Sequence, residues 1–286
     1  MTERMRLAVP NKGRLVEPTL ALLRDAGLVF DAHDRSLVSR VQNVDLDILF
    51  VRTNDIAEFV GDGVADVGIT GGDLLAEAGA QLPIVRELGY GRCRLAAAVP
   101  NDATYTSIDD LGGTRIATSH PNTTRRFFAE RGIAVSVVAL SGAVEVAPRL
   151  GLAEAIVDLV STGSTLVMNG LRPIGDVLAS QAVMVANPAA LMNRAAEIAT
   201  IDTMIGAAQA ARGKKYLMLN APIAKAQAIE DLLPSLESPT VIPLAHDGMI
   251  AIHSVVGADE VWGLLPRLKA AGASGILVLP IEKIVP

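Results

Sequence analysis

Over the first eighty residues, short apolar runs alternate with helical patterns, and a polar or glycine-rich turn follows each run. Residues 6–9 read as a strand, followed by Asn11-Lys12-Gly13-Arg14 and a helix over about 17–26. Residues 46–51 form a second strand, and Thr53-Asn54-Asp55 reads as the cap of a helix over 56–61. Residues 65–69 form a third, closed by Thr70-Gly71-Gly72-Asp73 and a short helix through Ala78. A β-α-β-α rhythm predicts a parallel sheet, and such sheets bind ligands beyond the carboxyl ends of their strands. Lys12, Arg14, Arg52 and Asp73 all fall at such ends. Each alone would pass for a solvated loop residue; four at equivalent positions are candidate ligand contacts.

A second α/β unit starts near 93–99. Residues 111–118 give a turn and a strand, 121–131 a helix with Asn122 as its cap, 133–140 a strand and 143–150 a helix. The apolar run 182–186 and a helix over about 188–210 lead back to the first unit. A chain that leaves one α/β lobe and later returns makes a two-lobed, hinged body of periplasmic-binding-protein-like form, with ligand in the cleft. From Lys214 the order becomes strand 216–219, helix 223–233, strands 240–244 and 250–256, helix 261–271 and strand 275–279. His246-Asp247-Gly248 between the middle strands is a hairpin signal. This β-α-β-β-α-β order is the ferredoxin-like split unit. The expected fold class is therefore α/β, a two-lobed body plus a C-terminal ferredoxin-like domain. Lobe I is drawn as 1–94 with 183–211, lobe II as 95–182 and the last domain as 212–286.

The strongest local signal is Asp158 to Thr165, reading Asp-Leu-Val-Ser-Thr-Gly-Ser-Thr. A strand ending in Ser161, Thr162, Gly163, Ser164 and Thr165 offers consecutive backbone N–H groups and hydroxyl donors with little side-chain bulk. Those are the requirements of a phosphate cradle. Asp158, just before it, is placed to accept hydrogen bonds from ribose hydroxyls. Together they point to a phosphoribosyl group; taken alone, the same loop is also compatible with an ordinary turn.

Composition narrows the class. Half of the 286 residues are hydrophobic, only 3% are aromatic, and the mean hydropathy is +0.39, so the core is large and aliphatic. No run of about 18 uncharged apolar residues suggests a membrane span. The N-terminal stretch lacks the apolar region of a signal peptide, so a cytoplasmic location is expected. Cys93 is the only cysteine, which leaves no intramolecular disulfide and no cysteine cluster for zinc; it reads as a small hydrophobe in a crossover strand. A net charge of −6 argues against a nucleic-acid partner. His33, His246 and His253 read as structural, and none has metal-ligand spacing.

The chain resembles the long form of ATP phosphoribosyltransferase, the first enzyme of histidine biosynthesis, nearly end to end. The resemblance rests on Asn11-Lys12-Gly13-Arg14-Leu15, Gly68-Ile69-Thr70-Gly71-Gly72-Asp73, Arg115-Ile116-Ala117-Thr118 and the stretch from Gly142 through Asp158 into the Ser/Thr/Gly loop. Ser238-Pro239-Thr240 and the segment from Gly275 to Lys283 extend it through the tail. It implies transfer of 5-phosphoribosyl from phosphoribosyl pyrophosphate to N1 of ATP, with Mg²⁺ on the diphosphate and the metal's protein ligands left open. No Cys/His dyad or Ser-His-Asp pattern stands in the sequence, in keeping with catalysis by positioning and electrostatics.

The roles implied are residue by residue. Asp158, Glu145 and Lys12 would be catalytic. Asp158 with Ser161, Thr162, Gly163, Ser164 and Thr165 would bind phosphoribosyl pyrophosphate. Lys12, Arg14, Arg52, Asp73 and His120 would face ATP or pyrophosphate. The family often has tyrosine where this chain has His120, so the chain departs from the family pattern there. The C-terminal domain (ACT-like in the family) would sense histidine for feedback inhibition, with Asn220, Thr240, Ala273 and Ser274 as candidate contacts. A homo-oligomer, dimer or hexamer, is implied, without a separate regulatory subunit. The rival from the residues alone is a non-enzymatic two-lobed solute-binding or amino-acid-sensing protein.

Overall fold

The computed structural model describes residues 4–32, 36–161, 163–233 and 238–285. It divides into two compact units, Met1–Arg24 with Leu28–Asp202, and Asp25–Gly27 with Thr203–Pro286.

The first unit holds two sheets. One has six strands in the order Val38–Arg40, Leu46–Val51, Met5–Pro10, Val67–Gly71, Ala182–Ala186, Ile84–Glu87. Met5–Pro10 lies parallel to both Leu46–Val51 and Val67–Gly71, as the β-α-β rhythm predicts. The returning strand Ala182–Ala186 runs antiparallel to Val67–Gly71. Every residue of these last two strands is buried, because both faces of the sheet are covered. The helix Ile56–Gly61 packs so closely on Val67–Gly71 that a Cβ at Gly68 would sit 2.6 Å from Val60 and 2.7 Å from Ile56 side-chain carbons. Glycine is required there by space, not by turn geometry.

The second sheet runs Leu171–Ser180, Cys93–Pro100, Ala155–Val160, Arg115–Thr118, Ser136–Ala139. Ala155–Val160, which carries Asp158, is parallel to Arg115–Thr118 and antiparallel to Cys93–Pro100. Its core joins Leu95, Val99, Ile116, Phe128 and Val157 on one face and Ala98, Val144, Ile156 and Leu166 on the other. Chain leaves the first sheet after Ile84–Glu87, builds the second, and comes back through Ala182–Ala186, which is the two-lobed α/β form expected.

Several local expectations fail. Residues 143–150 form no α-helix: only a 3₁₀ turn, Val144–Val146, is present, and Pro148 with Gly151 at φ 69° stops it extending. Thr53, Asn54 and Asp55 form a 3₁₀ turn with no side-chain cap bond to the helix after it. Thr70-Gly71-Gly72-Asp73 is no loop, since strand Val67–Gly71 runs straight into helix Gly72–Ala78. The helix over 188–210 is two, Pro188–Asn193 and Ala195–Ala211, parted at Arg194 (φ −132°, ψ 30°), whose guanidinium reaches Asp66 at 3.3 Å. Strands Val38–Arg40, Ile84–Glu87 and Leu171–Ser180 are additional to the reading from sequence.

The second unit is a four-stranded antiparallel sheet in the order Thr240–Pro243, Met249–Gly257, Lys214–Pro222, Ser274–Pro280. Helix Val261–Ala270 and the short helix Ala226–Glu230 complete the split β-α-β arrangement. Leu217, Leu219, Ile229, Ile252, Leu264 and Leu268 form its core. His253 is structural: its Nδ1 lies 2.9 Å from the Tyr216 hydroxyl, on the paired strand. His33 lies outside the described residues. Among the described residues, no helix is long and apolar enough to cross a membrane.

Candidate active site

Asp158 is the fourth residue of Ala155–Val160 and is half-buried. Its Oδ1 accepts hydrogen bonds from the Leu159 backbone N–H at 2.9 Å and the Ser119 hydroxyl at 3.3 Å. Burial pushes its carboxyl above the ordinary range, and the neighbouring Glu145 charge adds to that; the two hydrogen bonds offset it only in part.

Beyond the strand the chain turns at Gly163, whose φ of 81° suits glycine and little else, and enters the five-residue helix Ser164–Met168. Glu145, Asp158, Ser161, Gly163 and Thr165 line one cavity of about 350 Å³. Ser164 opens the short helix and is not among the lining residues, and Thr162 lies outside the described residues. Glu145 reaches this cavity from the 3₁₀ turn, not from an α-helix. The residue before that turn, Ala143, has φ 50°, the one positive φ on a non-glycine among the described residues.

A second cavity, of about 530 Å³, adjoins the first through Leu159. Lys12 and Arg14 line it from the end of strand Met5–Pro10, Thr53 and Asn54 from the end of Leu46–Val51. Asp73, Ser119 and His120 close its floor. Arg52 is exposed and lines neither cavity. Arg14 reaches out of the first lobe: Nη1 donates to Ser161 Oγ at 3.2 Å, and Nη2 to Cys93 Sγ at 2.8 Å. Cys93 is thus half-exposed and polar-bonded, not a buried hydrophobe.

The floor contains what the sequence lacked as a pattern. Asp73 is only 3% exposed, and Ser180 both donates to its Oδ1 at 2.7 Å and accepts from its backbone N–H at 2.8 Å. Burial works against this carboxylate, yet contacts with His120 and Ser180 and its own backbone N–H outweigh burial and hold the group below its ordinary value. His120 Nε2 lies 3.5 Å from Asp73 Oδ2, an ion-pair distance too long for a well-formed hydrogen bond. Nδ1 of the same ring lies 3.0 Å from Ser119 Oγ. So Ser119, His120 and Asp73 form a Ser-His-Asp row after all, assembled across 47 positions of chain from the ends of strands in two different sheets. Ser119 and Ser180 carried no signal of their own in the sequence.

Helix Pro121–Glu130 begins in the same place. Asn122 is not its cap; the N-cap position is His120, which makes no side-chain cap bond. Glu77, from helix Gly72–Ala78, supplies the cap instead, accepting from the backbone N–H of Asn122 and of Thr123, each at 2.8 Å. A carboxylate at a helix N-terminus satisfies open N–H groups and suits the helix dipole.

In the second unit, Asn220 and Ser274 face each other on adjacent strands, and Ser274 Oγ donates to the Asn220 carbonyl at 3.5 Å. Ala273 is buried beside them. Thr240 lies on the edge strand at the opposite side of the sheet, paired with His253. Asn220, Ala273 and Ser274 therefore come together, and Thr240 does not join them.

The family model for HisG, ATP phosphoribosyltransferase, matches residues 52–207, and that for the HisG C-terminal domain matches residues 211–283. An ATP phosphoribosyltransferase of Methanosarcina acetivorans is 42% identical, with 99% of this chain and 100% of that protein covered. One from Cytophaga hutchinsonii is 43% identical over 100% of both chains. The solved ATP phosphoribosyl transferase (HisG:HisZ) complex from Thermotoga maritima contains a chain 30% identical, with a TM-score of 0.62, covering 70% of this chain and 95% of that one. On the full-length similarity and the matched C-terminal domain, this chain belongs to the long-form ATP phosphoribosyltransferase family.

Proposed function

We propose that the two adjoining cavities hold the two substrates of the family's reaction, in which 5-phosphoribosyl passes from phosphoribosyl pyrophosphate to N1 of the ATP adenine and pyrophosphate leaves. The observation that carries this reading is the cavity that Asp158 and Glu145 share with Ser161, Gly163 and Thr165, beside the cavity of Lys12 and Arg14, with Leu159 lining both. Ser161, Thr162, Gly163, Ser164 and Thr165 hold the 5′-phosphate, Asp158 the ribose hydroxyls, and Glu145 the same sugar from the side. Lys12 and Arg14 meet the diphosphate or triphosphate, Arg52 guides it from the rim, and Asp73 acts from behind His120.

The reaction breaks the C1–O bond, leaving cationic character on the sugar and negative charge on pyrophosphate. Half-buried Asp158 and Glu145 sit where the cation forms, and the Lys12 and Arg14 charges lie where the anion departs. Fixed charges that match the developing ones lower the barrier without a covalent intermediate. Among the described residues, no three His, Cys, Asp or Glu side chains cluster to hold a metal. Mg²⁺ bound with phosphoribosyl pyrophosphate would screen the diphosphate charge beside Lys12 and Arg14. The lobes are drawn as 1–94 with 183–211 and as 95–182, with 212–286 as the regulatory domain, whereas the compact units part between Asp202 and Thr203. Histidine bound near Asn220, Ala273 and Ser274, with Thr240 at the far edge, inhibits by favouring a less active subunit arrangement of a cytoplasmic homo-oligomer. No separate regulatory subunit takes part.

An absorbance assay for phosphoribosyl-ATP, with ATP, phosphoribosyl pyrophosphate, Mg²⁺ and pyrophosphatase, tests this. Turnover suppressed by millimolar histidine supports both sites. Turnover indifferent to histidine removes the regulatory assignment, and folded protein without turnover removes the catalytic one.

A further inference from the structure

Joining adenine N1 to a sugar carbon builds positive charge on the N1–C6–N6 amidine, and loss of an amino proton neutralises it. If the ribose hydroxyls rest on Asp158, C1 lies beside that carboxylate. N1 must approach C1, and the amino nitrogen is one bond beyond the carbon next to N1. The amino group therefore falls close to whatever stands against Asp158. In this structure that is Ser119, whose hydroxyl is 3.3 Å from Asp158 Oδ1 and 3.0 Å from His120 Nδ1. In the free protein the hydroxyl donates to Asp158; once ribose hydroxyls occupy that carboxylate, its one proton turns to the imidazole, the shorter of its two contacts. Behind it, His120 is buried, with Nε2 lacking a hydrogen-bond partner and facing Asp73 at 3.5 Å.

We propose that Ser119 and His120 form a proton relay for the adenine amino group, with Asp73 as the positioning residue that holds the ring and faces its charge. The proposal rests on the phosphoribosyl reading of Asp158. In the step, the N1 lone pair forms the bond to C1, and the C1–O bond breaks with its electron pair leaving on pyrophosphate. An amino proton passes to Ser119 Oγ as the hydroxyl proton passes to His120 Nδ1. The N–H electron pair becomes the C6=N6 double bond, and the former ring double-bond pair returns to N1. A product with an uncharged adenine amidine, pyrophosphate and an imidazolium facing Asp73 result; the imidazolium later gives its proton to solvent. The charged groups around the ring are Asp73 on the adjoining helix, Asp158 across Ser119, Glu145 beside Asp158, and Lys12 and Arg14 across the cavity. Asp73 is the one within ion-pair distance of the ring.

The test is steady-state kinetics across pH on the full chain. Wild-type turnover first establishes the transfer reading independently of the relay, and its absence would overturn both. Ser119→Ala is expected to lower kcat on the order of 100-fold, with the KM for phosphoribosyl pyrophosphate unchanged, and Ser119→Thr to restore most of it. His120→Gln is expected to lower kcat by a similar factor, again with the KM for phosphoribosyl pyrophosphate unchanged. If His120→Gln does not fold, Ser119→Ala decides alone. Full kcat in Ser119→Ala overturns the relay. So does a defect confined to KM with the pH profile unmoved, because Ser119 would then only hold Asp158 in place.

Discussion

Glu77 Oε2 accepts a 2.8 Å hydrogen bond from the backbone N–H of Thr123, so a carboxylate on one sheet's helix caps a helix of the other. With the matching bond to Asn122, it fixes the separation of the two cavity walls at His120. Glu77→Ala should cost about 1 kcal/mol of stability, the usual size of a lost cap, and raise the KM for both substrates by loosening that wall. Urea unfolding and kinetics read the two effects separately. An unchanged unfolding midpoint would show that the cap contributes nothing.

Burial sets the Asp158 carboxylate against folding in the ligand-free protein. Its folded carboxyl lies above the ordinary value, so ionising it as pH rises through that range works against folding. Asp158→Asn should therefore raise the melting temperature of ligand-free protein at neutral pH by one to a few degrees, about the shift that 1 kcal/mol gives a body of this size. The same variant should lose phosphoribosyl pyrophosphate binding in calorimetry. A lower melting temperature would contradict the burial argument.

Asp73 has the opposite sign. A carboxyl held below its ordinary value adds stability that is fully present above that value and lost as pH falls through the depressed folded one. Acid unfolding followed by circular dichroism should show Asp73→Asn less stable than wild type near neutrality, with the gap closing in strong acid. A gap that stays constant with pH would place the loss in packing instead.

Ala143 holds its left-handed conformation at the entry to the Glu145 turn. That backbone costs alanine about 1 kcal/mol more than glycine, and strain of this kind tends to gather at functional sites. Ala143→Gly is expected to stabilise the chain by about that amount and lower kcat through a less fixed Glu145. Chemical denaturation and turnover measured on one preparation check both; a destabilised variant rules out the strain.

Gly275 has φ 56°, and a Cβ there would lie 3.2 Å from the Asn220 side-chain nitrogen. Gly275→Ala should therefore displace Asn220 and weaken inhibition by histidine several-fold while kcat without histidine stays unchanged. An inhibition curve superimposed on wild type would separate Asn220 from the histidine site.

Local pattern was enough for the elements whose burial repeats along the chain. Leu46–Val51, Ala182–Ala186 and the helix Ile56–Gly61 follow from apolar spacing, because each buries its own near neighbours. The β-α-β-β-α-β order of the tail is likewise written in alternating strand and helix periods. Leu171–Ser180 is hidden because Arg172, Pro173, Gly175 and Asp176 interrupt the period, and the strand tolerates them with register shifts on the sheet edge.

By itself the sequence determined the α/β class, the Asp158–Thr165 segment at a strand end and the family, since these depend on residues adjacent in chain. Tertiary structure alone decided that Ser119 touches Asp158, that His120 faces Asp73, that Asp73 is buried against Ser180, and that Glu77 caps a helix in the other lobe. The reason is physical: these contacts join residues dozens of positions apart, and only the order in which strands pair sets which distant side chains share a wall. Single-chain periodicity reports the depth of a residue, whereas its partner is set by the sheet it faces.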